Sequence, residues 1–274
     1  NAGGKYSVLA HCGACGVSCL GIAVPHADPV CNTAPAVPLC TYACQTGWLD
    51  VNGIQNDGCE CQPVAGPDLA GDGADTDCDG MDGTKTLGIF VAKNGKDTNS
   101  GAFGQPVLTI TKALSLAAAP TKRDVYVATG VYSENVSLKA GIGIYGGYSG
   151  DFTLHDPIVF ETAILGQAPT VAKPGAVSAT NLTATGSPTT IIDGFTIFGP
   201  NLANTPGANS YAVYLYNVGS SVAVTNNRII GNAGGNGAPG SAGTSGFAGV
   251  NGAIGIAAYD VGTKDGAGNR TCSE

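Results

Sequence analysis

The chain has 274 residues, of which 43 are glycine and 12% are charged. This composition is poor in helix-forming residues and rich in turn-forming ones, and we interpret it as that of an extracellular protein. It contains no apolar run of the roughly 18 residues that a membrane-spanning helix needs. Its formal net charge of −8 argues against nucleic acid as a partner.

The acidic residues are concentrated near the N-terminus. Residues 1–84 carry ten acidic groups and one basic group, a formal net charge of −9, whereas residues 85–274 carry ten acidic and eleven basic groups, a net charge of +1. Like charges at this density repel one another or bind cations. The sequence begins with Asn1 rather than Met, which leads us to expect a secreted or cell-surface protein whose secretion signal has been removed.

Residues 1–62 are predicted to form a cysteine-rich module. Crowded cysteines in a loop-rich segment indicate disulfides formed in an oxidising compartment. Zinc at Cys12 and Cys15 is the weaker alternative, because no second Cys-x-x-Cys follows. Nine cysteines lie within the first 78 residues, so one of them lacks a partner there, and Cys272 of the same or another chain is the candidate partner. The cysteines predicted to form disulfides are Cys12, Cys15, Cys19, Cys31, Cys40, Cys44, Cys59, Cys61, Cys78 and Cys272.

Two stretches of this module, CGACGVSC at 12–19 and GWLDVNGIQNDGCEC at 47–61, have a recognisable pattern. They resemble a small cysteine-rich repeat of secreted surface proteins from environmental bacteria, with the form C-G-x-C-G-x-x-C followed by D-x-N-G-x-x-x-x-G-C-E. The resemblance implies an extracellular location and carries no information about catalysis.

Residues 63–84, the Asp-rich segment, contain six aspartates and are predicted to bind calcium. Asp75-x-Asp77-x-Asp79-Gly80 matches the start of a calcium loop, in which alternate carboxylates converge on one hard cation. Thr86 stands where an EF-hand has its twelfth-position Glu, and GDGADTDCDGMDG instead resembles the D-x-D-x-D-G calcium repeats of extracellular proteins. A solvated acidic linker is the alternative. The predicted ligands are Asp72, Asp75, Asp77, Asp79 and Asp82.

Residues 85–230 are predicted to form short strands separated by turns. The runs have four to seven residues, often alternate apolar and polar positions, and bend at Gly, Asn or Asp. One helix is predicted over 107–119, ended by Pro120. The residues on its apolar face are Ile110, Ala113, Leu114 and Ala117. The run 191–197 is similar to 224–230, about 33 residues later, which indicates stacked coils.

The stretch VYVATGVYSENVSLKAGIGIYGGY at 125–148 carries a second resemblance. It is similar to the V-x-V-x-x-G-x-Y-x-E-x-V early coil of the right-handed parallel β-helix in the pectate-lyase-like superfamily. The helix at 107–119 lies where that superfamily has a helical cap. The resemblance implies a mainly β chain in which a right-handed parallel β-helix with an N-terminal helical cap spans 85–230. It specifies function poorly, because this fold serves many activities.

Residues 231–256 carry glycine at every third position, the period of an extended polyproline-II-type helix. A collagen triple helix, a bundle of glycine-rich extended helices and a flexible loop are all compatible with this pattern, although Pro239 is the only proline. Residues 257–274 form a tail that contains Cys272. The glycines in register are Gly231, Gly234, Gly237, Gly240, Gly243, Gly246, Gly249, Gly252 and Gly255.

No catalytic constellation is evident in the sequence. The acidic residues between 85 and 230 are scattered, and Asp193 is the best single candidate for a carboxylate in a groove, although a turn residue beside Gly194 is the favoured interpretation. His155 has no identifiable Ser or Cys partner. We therefore predict no catalytic residue and no organic cofactor.

The leading hypothesis is a secreted structural or adhesive surface protein stabilised by disulfides and calcium. A sharper form of it is a fibre protomer that self-associates end to end, because an open solenoid end docking on the cysteine-rich module of the next copy makes a contact that does not close. The alternatives are a calcium-dependent polysaccharide lyase or hydrolase, and a non-catalytic module binding extracellular polysaccharide through a row of exposed aromatic residues. The candidates for that row are Tyr145, Tyr148, Tyr214 and Tyr216.

Overall fold

The computed structural model describes residues 6–21, 23–118, 124–182, 190–220 and 222–252. The chain forms two units, Asn1–Gly237 and Ala238–Glu274. No helix within the described ranges has the length and apolarity to cross a membrane. The described elements are the helix α1 (Ile110–Leu116) and the strands β1 (Ser7–Val8), β2 (His11–Cys12), β3 (Ala27–Asn32), β4 (Leu39–Cys44), β5 (Gly88–Val91), β6 (Asp124–Ala128), β7 (Gly130–Tyr132), β8 (Val136–Ser137), β9 (Gly143–Tyr148), β10 (Thr162–Leu165), β11 (Val177–Thr180), β12 (Thr190–Asp193), β13 (Thr196–Phe198), β14 (Val213–Tyr216), β15 (Val222–Thr225) and β16 (Arg228–Ile230).

Strands β5 to β16 build a parallel β-solenoid of about four turns. Neighbouring strands in each sheet come from successive turns of the chain, and all the pairs are parallel. The predicted parallel solenoid is therefore confirmed. Its sheets are sheet 1 (β5-β6-β9-β12-β15), sheet 2 (β8-β11-β14) and sheet 3 (β7-β10-β13-β16).

Aliphatic side chains from all three sheets fill the interior of the solenoid. Strands of successive turns contribute inward residues to each sheet, so these side chains stack along the solenoid and exclude water. Fully buried examples are Ile144, Ile164, Val177, Ile192 and Ile197. Alternation of apolar and polar positions in the short runs is thus explained by an inner and an outer face.

The stacking register differs by one residue from the similarity expected between 191–197 and 224–230. Ile192 pairs with Val224 and Ile197 with Ile229, so these two runs are 32 residues apart and the alignment at a spacing of about 33 is wrong by one residue. A slip of one residue would exchange the inward and outward faces of a strand, because side chains alternate with a period of two. Ile192 is completely buried in the observed register.

Helix α1 is shorter than the helix predicted at 107–119. Val107 is extended and forms a parallel bridge with Val91. Thr109 caps the helix by accepting a hydrogen bond from the backbone N–H of Lys112 at 3.1 Å. This favourable N-cap explains why the helix starts after the apolar pattern has begun. The C-terminal end of the predicted range, from residue 119, lies outside the described residues.

Four disulfides cross-link the N-terminal region, around the antiparallel pairs β1–β2 and β3–β4. Zinc at Cys12 and Cys15 is contradicted, because the Cys12 sulfur is used in a disulfide. Among the described cysteines Cys15 is an exposed free thiol, and Cys272, its predicted partner by elimination, lies outside the described residues. The bonded pairs are Cys12–Cys31, Cys19–Cys40, Cys44–Cys59 and Cys61–Cys78.

The start of the glycine-rich run lies against a loop of the preceding turn. The backbone N–H of Leu202 donates to the carbonyl of Ala233, and that of Gly235 donates to the carbonyl of Ala208, both at 2.8 Å. A Cβ at Gly235 would stand 1.6 Å from the carbonyl oxygen of Thr205. Close backbone contact therefore requires glycine here, although Gly235 is not one of the glycines in the three-residue register.

Candidate metal centre

Three carboxylates of the Asp-rich segment converge on one point. Asp68, Asp75 and Asp77 each offer one oxygen, and these three oxygens lie within 4.8 Å of one another. Asp75 and Asp77 are among the predicted ligands, whereas Asp68 was not. Asp68 belongs to the same run of six aspartates, which could have indicated it as a ligand, but it lies before the D-x-D-x-D-G motif. Oxygen ligands at this spacing suit a hard cation such as calcium.

Backbone N–H groups hold Asp75 and Asp77 in place. The Asp75 carboxylate accepts from Asp79 N–H at 3.0 Å and from Gly80 N–H at 2.9 Å. Asp77 accepts from the same Asp79 N–H at 3.1 Å. Gly80 has a φ of 94°, which favours glycine, so the sharp turn expected after the third aspartate is present.

Asp68 is held by one residue within the motif and by one residue after it. One of its oxygens accepts from the backbone N–H and hydroxyl of Thr76, at 2.8 and 2.9 Å. Its other oxygen accepts from Gly83 N–H at 2.8 Å. The carboxylate therefore joins the two ends of the Asp-rich segment and places one oxygen near Asp75 and Asp77.

Asp79 lies outside this group of three but next to it in sequence. Its Oδ2 accepts from Lys85 N–H at 2.8 Å, whereas its Oδ1 is buried with no hydrogen-bond partner in the described residues. Burial, and then the charge of Asp77, raise the pKa of Asp79 above its usual value. Burial and the charge of Asp68 likewise raise the pKa of Asp77. Both shifts and the orphaned oxygen fit a cation-binding segment, because a cation would relieve each of them.

Two predicted ligands lie away from the group. Asp72 is exposed, and its Oδ1 accepts from Ala74 N–H at 3.0 Å. Asp82 is buried, and its two oxygens accept from Gly71 N–H and Gly73 N–H, each at 3.0 Å. Asp82 also lies 2.9 Å from the Nδ1 of His155, so its carboxylate already has three partners.

His155 lies between two hydrogen-bond acceptors. Its Nδ1 faces the carboxylate of Asp82, and its Nε2 lies 2.9 Å from the carbonyl oxygen of Gly146. A neutral imidazole has a single N–H and cannot donate to both, so this geometry favours the imidazolium form. Burial lowers the pKa of His155, but the hydrogen bond and charge of Asp82 and the Gly146 carbonyl together raise it above its usual value.

The apolar side of the Asp-rich segment covers the outer face of sheet 1. Met81 is 1% exposed and packs in a cluster of aromatic residues, and the hydroxyl of Tyr148 donates to the carbonyl of Asp82 at 2.8 Å. Tyr145 and Tyr148 are consequently buried, so the exposed aromatic row required by the carbohydrate-binding alternative is contradicted at these two positions. Tyr214 is half-buried and Tyr216 is 58% exposed.

The candidates for catalysis do not come together as a nucleophile and a base. The two nitrogens of His155 face the Asp82 carboxylate and the Gly146 carbonyl, and no Ser or Cys side chain is described as bonded to this ring. Asp193 is the last residue of β12, directly before Gly194, and it also lines a cavity; its Oδ2 accepts from Thr225 Oγ1 at 2.6 Å and from Asn226 Nδ2 at 2.9 Å. These bonds join successive turns of the solenoid.

Comparison with known proteins identifies one family. A family model described as "Protein of unknown function (DUF1565)" matches residues 93–272, which is 180 of the 274 residues. No curated protein and no solved structure matches the chain. This family is linked to parallel β-helix proteins, in agreement with the solenoid observed here. The chain therefore belongs to the DUF1565 family.

Proposed function

We propose that this chain is an extracellular structural or adhesive protein whose Asp-rich segment binds calcium and fastens the cysteine-rich module to the solenoid. The observation that carries the proposal is the convergence of Asp68, Asp75 and Asp77 beside the orphaned carboxylate oxygen of Asp79. These groups would hold the ion, and calcium would supply positive charge beyond that of Lys85, whose ammonium donates to the carbonyl of Asp79.

The position of the Asp-rich segment gives calcium a mechanical role. The disulfide Cys61–Cys78 ties the segment to the cysteine-rich module, while Met81 and Asp82 contact sheet 1 and its loops. Calcium bound to the Asp-rich segment, between the cysteine-rich module and sheet 1, would offset the repulsion among the clustered carboxylates. A ligand that binds the folded state alone contributes about 2.7 kcal/mol at a concentration of 100 Kd.

Two further features support an extracellular and structural role. Disulfides persist in oxidising compartments, and four of them lie within residues 12–78. The family resemblance and the strong preference of parallel crossovers for one hand support a right-handed solenoid. Helix α1 packs against β5, β6 and β8, which supports its assignment as the cap of the first turn.

Self-association through the last turn is supported by the contrast between the two ends of the solenoid. Strands β14, β15 and β16 are edge strands of their sheets, and an edge presents unpaired N–H and C=O groups. At the other end, β5 already pairs outward: Phe90 N–H donates to Gly101 O at 2.8 Å, and Ala92 N–H donates to Val107 O at 3.0 Å. An assembly would therefore join unlike surfaces and grow as a fibre.

Calcium titration by calorimetry, together with thermal unfolding, tests the metal centre. We expect calcium to bind the wild-type chain and raise its melting temperature, and Asp77→Asn to weaken binding by about tenfold, equivalent to roughly 1.4 kcal/mol. Asp28→Asn is the matched control, because Asp28 is exposed on β3 and contacts Gln45. Absence of calcium binding, or equal binding by Asp77→Asn, would contradict the proposal.

Electron microscopy and non-reducing electrophoresis test the assembly. The fibre hypothesis predicts filaments in calcium, and a covalent joint between Cys15 of one copy and Cys272 of the next predicts a ladder of bands that collapses with reductant. Cys15→Ser should abolish the ladder without changing calcium binding, because Cys15 is remote in sequence from the Asp-rich segment and exposed. Monomers at all calcium concentrations would leave the calcium site standing and remove the fibre.

A further inference from the structure

A second acidic site lies between the Asp-rich segment and the solenoid. A cavity of about 490 Å³ is bounded on one side by the backbone of residues 71–73 and on the other by the loop at 155–158. Asp193, the last residue of β12, and Asn226, which directly follows β15, complete its lining. None of its lining residues belongs to the converging group Asp68, Asp75 and Asp77.

The polar side-chain groups that remain available in this cavity are mainly oxygen acceptors. The two ring nitrogens of His155 already face Asp82 and Gly146, and one of the two amide N–H groups of Asn226 donates to Asp193. Asp156 uses its Oδ1 to accept from the backbone at Ile158, at 2.8 Å, which leaves its Oδ2 free of any described bond. The lining residues include no Lys or Arg. A ligand that brings hydrogen-bond donors therefore fits this lining better than one that brings acceptors.

Asp193 is the group that points to a ligand. It is 5% exposed, and its Oδ1 is buried without a hydrogen-bond partner in the described residues, on the side facing Gly71. No donor among the described residues neutralises this oxygen, and because it is buried its charge acts on the cavity through a medium of low dielectric. The nearby His155 cation is already paired with Asp82. A carboxylate left in this state is costly unless a positive group approaches.

We propose that this cavity binds a small organic ammonium ligand. The carboxylates of Asp72, Asp156 and Asp193 supply negative charge and acceptors, and the ligand supplies N–H donors and a compensating charge. Pro157 and Ile158, the latter 93% exposed, offer apolar surface to an alkyl stem. The volume lies in the range of small-molecule sites. A bare metal ion fits less well, because the described groups with metal-ligand spacing do not include these three carboxylates.

Calorimetric titration with a matched pair of probes tests this inference. Experiments are made in saturating calcium, so that the metal centre does not compete, with 1,4-diaminobutane and its neutral analogue 1,4-butanediol. We expect the diamine to bind and the diol not to bind. Asp193→Asn should weaken diamine binding about tenfold and Asp72→Asn about threefold, since each removes one attractive charge from the cavity. Asp28→Asn is the control and should bind as the wild type does.

Two variants are used so that loss of binding caused by a disturbed fold can be separated from loss of a charge in the cavity. Asp193→Asn could disturb the bonds to Thr225 and Asn226, whereas Asp72 is exposed and its loss should leave the fold intact. Equal binding of diol and diamine, unchanged binding by Asp72→Asn, or no diamine binding at all would overturn the inference. Asp77→Asn should lose calcium affinity and retain the diamine measured without calcium, so failure of the metal proposal and failure of this one are distinguishable.

Discussion

The solenoid and the N-terminal region are held together by different chemistry. In the solenoid, parallel strands from successive turns pair continuously around an aliphatic interior. In residues 6–84 the strands are β1 to β4, and the order comes from four disulfides and from aspartates that accept backbone N–H groups. The buried hydrophobic residues of that region are mainly cysteines; the other two are Ala27 and Met81.

This difference shows that two regions of one chain can be stabilised by different kinds of interaction. Burial of apolar surface needs enough residues to form an interior, and the solenoid obtains them by repetition. A short, acidic and glycine-rich segment cannot form such an interior, so cross-links and carboxylate–backbone bonds take its place. The two regions should accordingly respond to different perturbations.

The largest effect is expected from a cavity inside the solenoid. Ile144 is completely buried between neighbouring turns, where it pairs with Val125 and Ile192. Ile144→Ala should lower the free energy of unfolding by about 2–5 kcal/mol, through lost burial and the cavity left behind. Chemical denaturation followed by circular dichroism measures this. Ile158→Ala is the control, because Ile158 is 93% exposed and should change stability by less than about 0.5 kcal/mol. Equal effects of the two variants would refute the distinction.

A somewhat smaller and more local effect is expected from removing a cross-link. Cys61 and Cys78 close a loop with a sequence separation of 17, and in the chain-entropy account a loop of this length contributes about 3 kcal/mol. The double variant Cys61→Ser, Cys78→Ser should lose hydrogen-exchange protection in the Asp-rich segment and weaken calcium binding. Protection in sheets 2 and 3 should be unchanged. Cys15→Ser, which removes an exposed free thiol, is the control. Loss of protection throughout the solenoid would show that the two regions are not separable.

Short-range pattern predicted the strands of the solenoid but not their register. Apolar doublets such as Ile191-Ile192 and Ile229-Ile230 fit two alignments that differ by one residue. The choice between them depends on contacts between turns, such as the bond from Thr225 to Asp193, which a single sequence does not display. Contacts between asparagines of successive turns are hidden in the same way. Asn217 donates to Asn181, 36 residues earlier, and the φ values of the two residues are 48° and 55°.

The candidate site divides in the same way. The alternation of aspartates correctly placed Asp75 and Asp77 in one group, because carboxylates that are neighbours in sequence converge around a tight turn. His155 was missed as a partner of Asp82, since 73 residues separate them and the fold alone brings them together. Tyr145 and Tyr148 lie in a strand whose outer face was expected to be exposed to solvent. The Asp-rich segment packs on that face and buries both residues. Each miss is a contact made between regions.

The smallest of the three effects concerns the ionic contact between the regions, and it depends on pH. The groups facing His155 are Asp82, Asp193, the Gly146 carbonyl and the ring of Tyr148. Because the pKa of His155 is higher in the folded chain than its usual value near 6.5, the imidazolium contributes its full stability below about pH 6.5. That contribution is lost as pH rises through the folded pKa, when the neutral ring can donate to Asp82 or to Gly146 but not to both. A hydrogen bond to a charged group contributes about 1.5–3 kcal/mol, which sets the scale of the loss.

Unfolding measured between pH 5 and pH 9 in a calcium chelator tests this contact. The wild type should lose stability, and hydrogen-exchange protection at residues 71–73, as the ring deprotonates. His155→Gln should be less stable at pH 5 and nearly independent of pH, because a neutral amide replaces the titrating group. His11→Gln, which alters an exposed histidine bonded to Gly16, should retain the wild-type profile. If His155→Gln kept the same pH dependence, the connection between the Asp-rich segment and the solenoid would not depend on this charge, and the apolar contact of Met81 with sheet 1 would be left as the principal link between the regions.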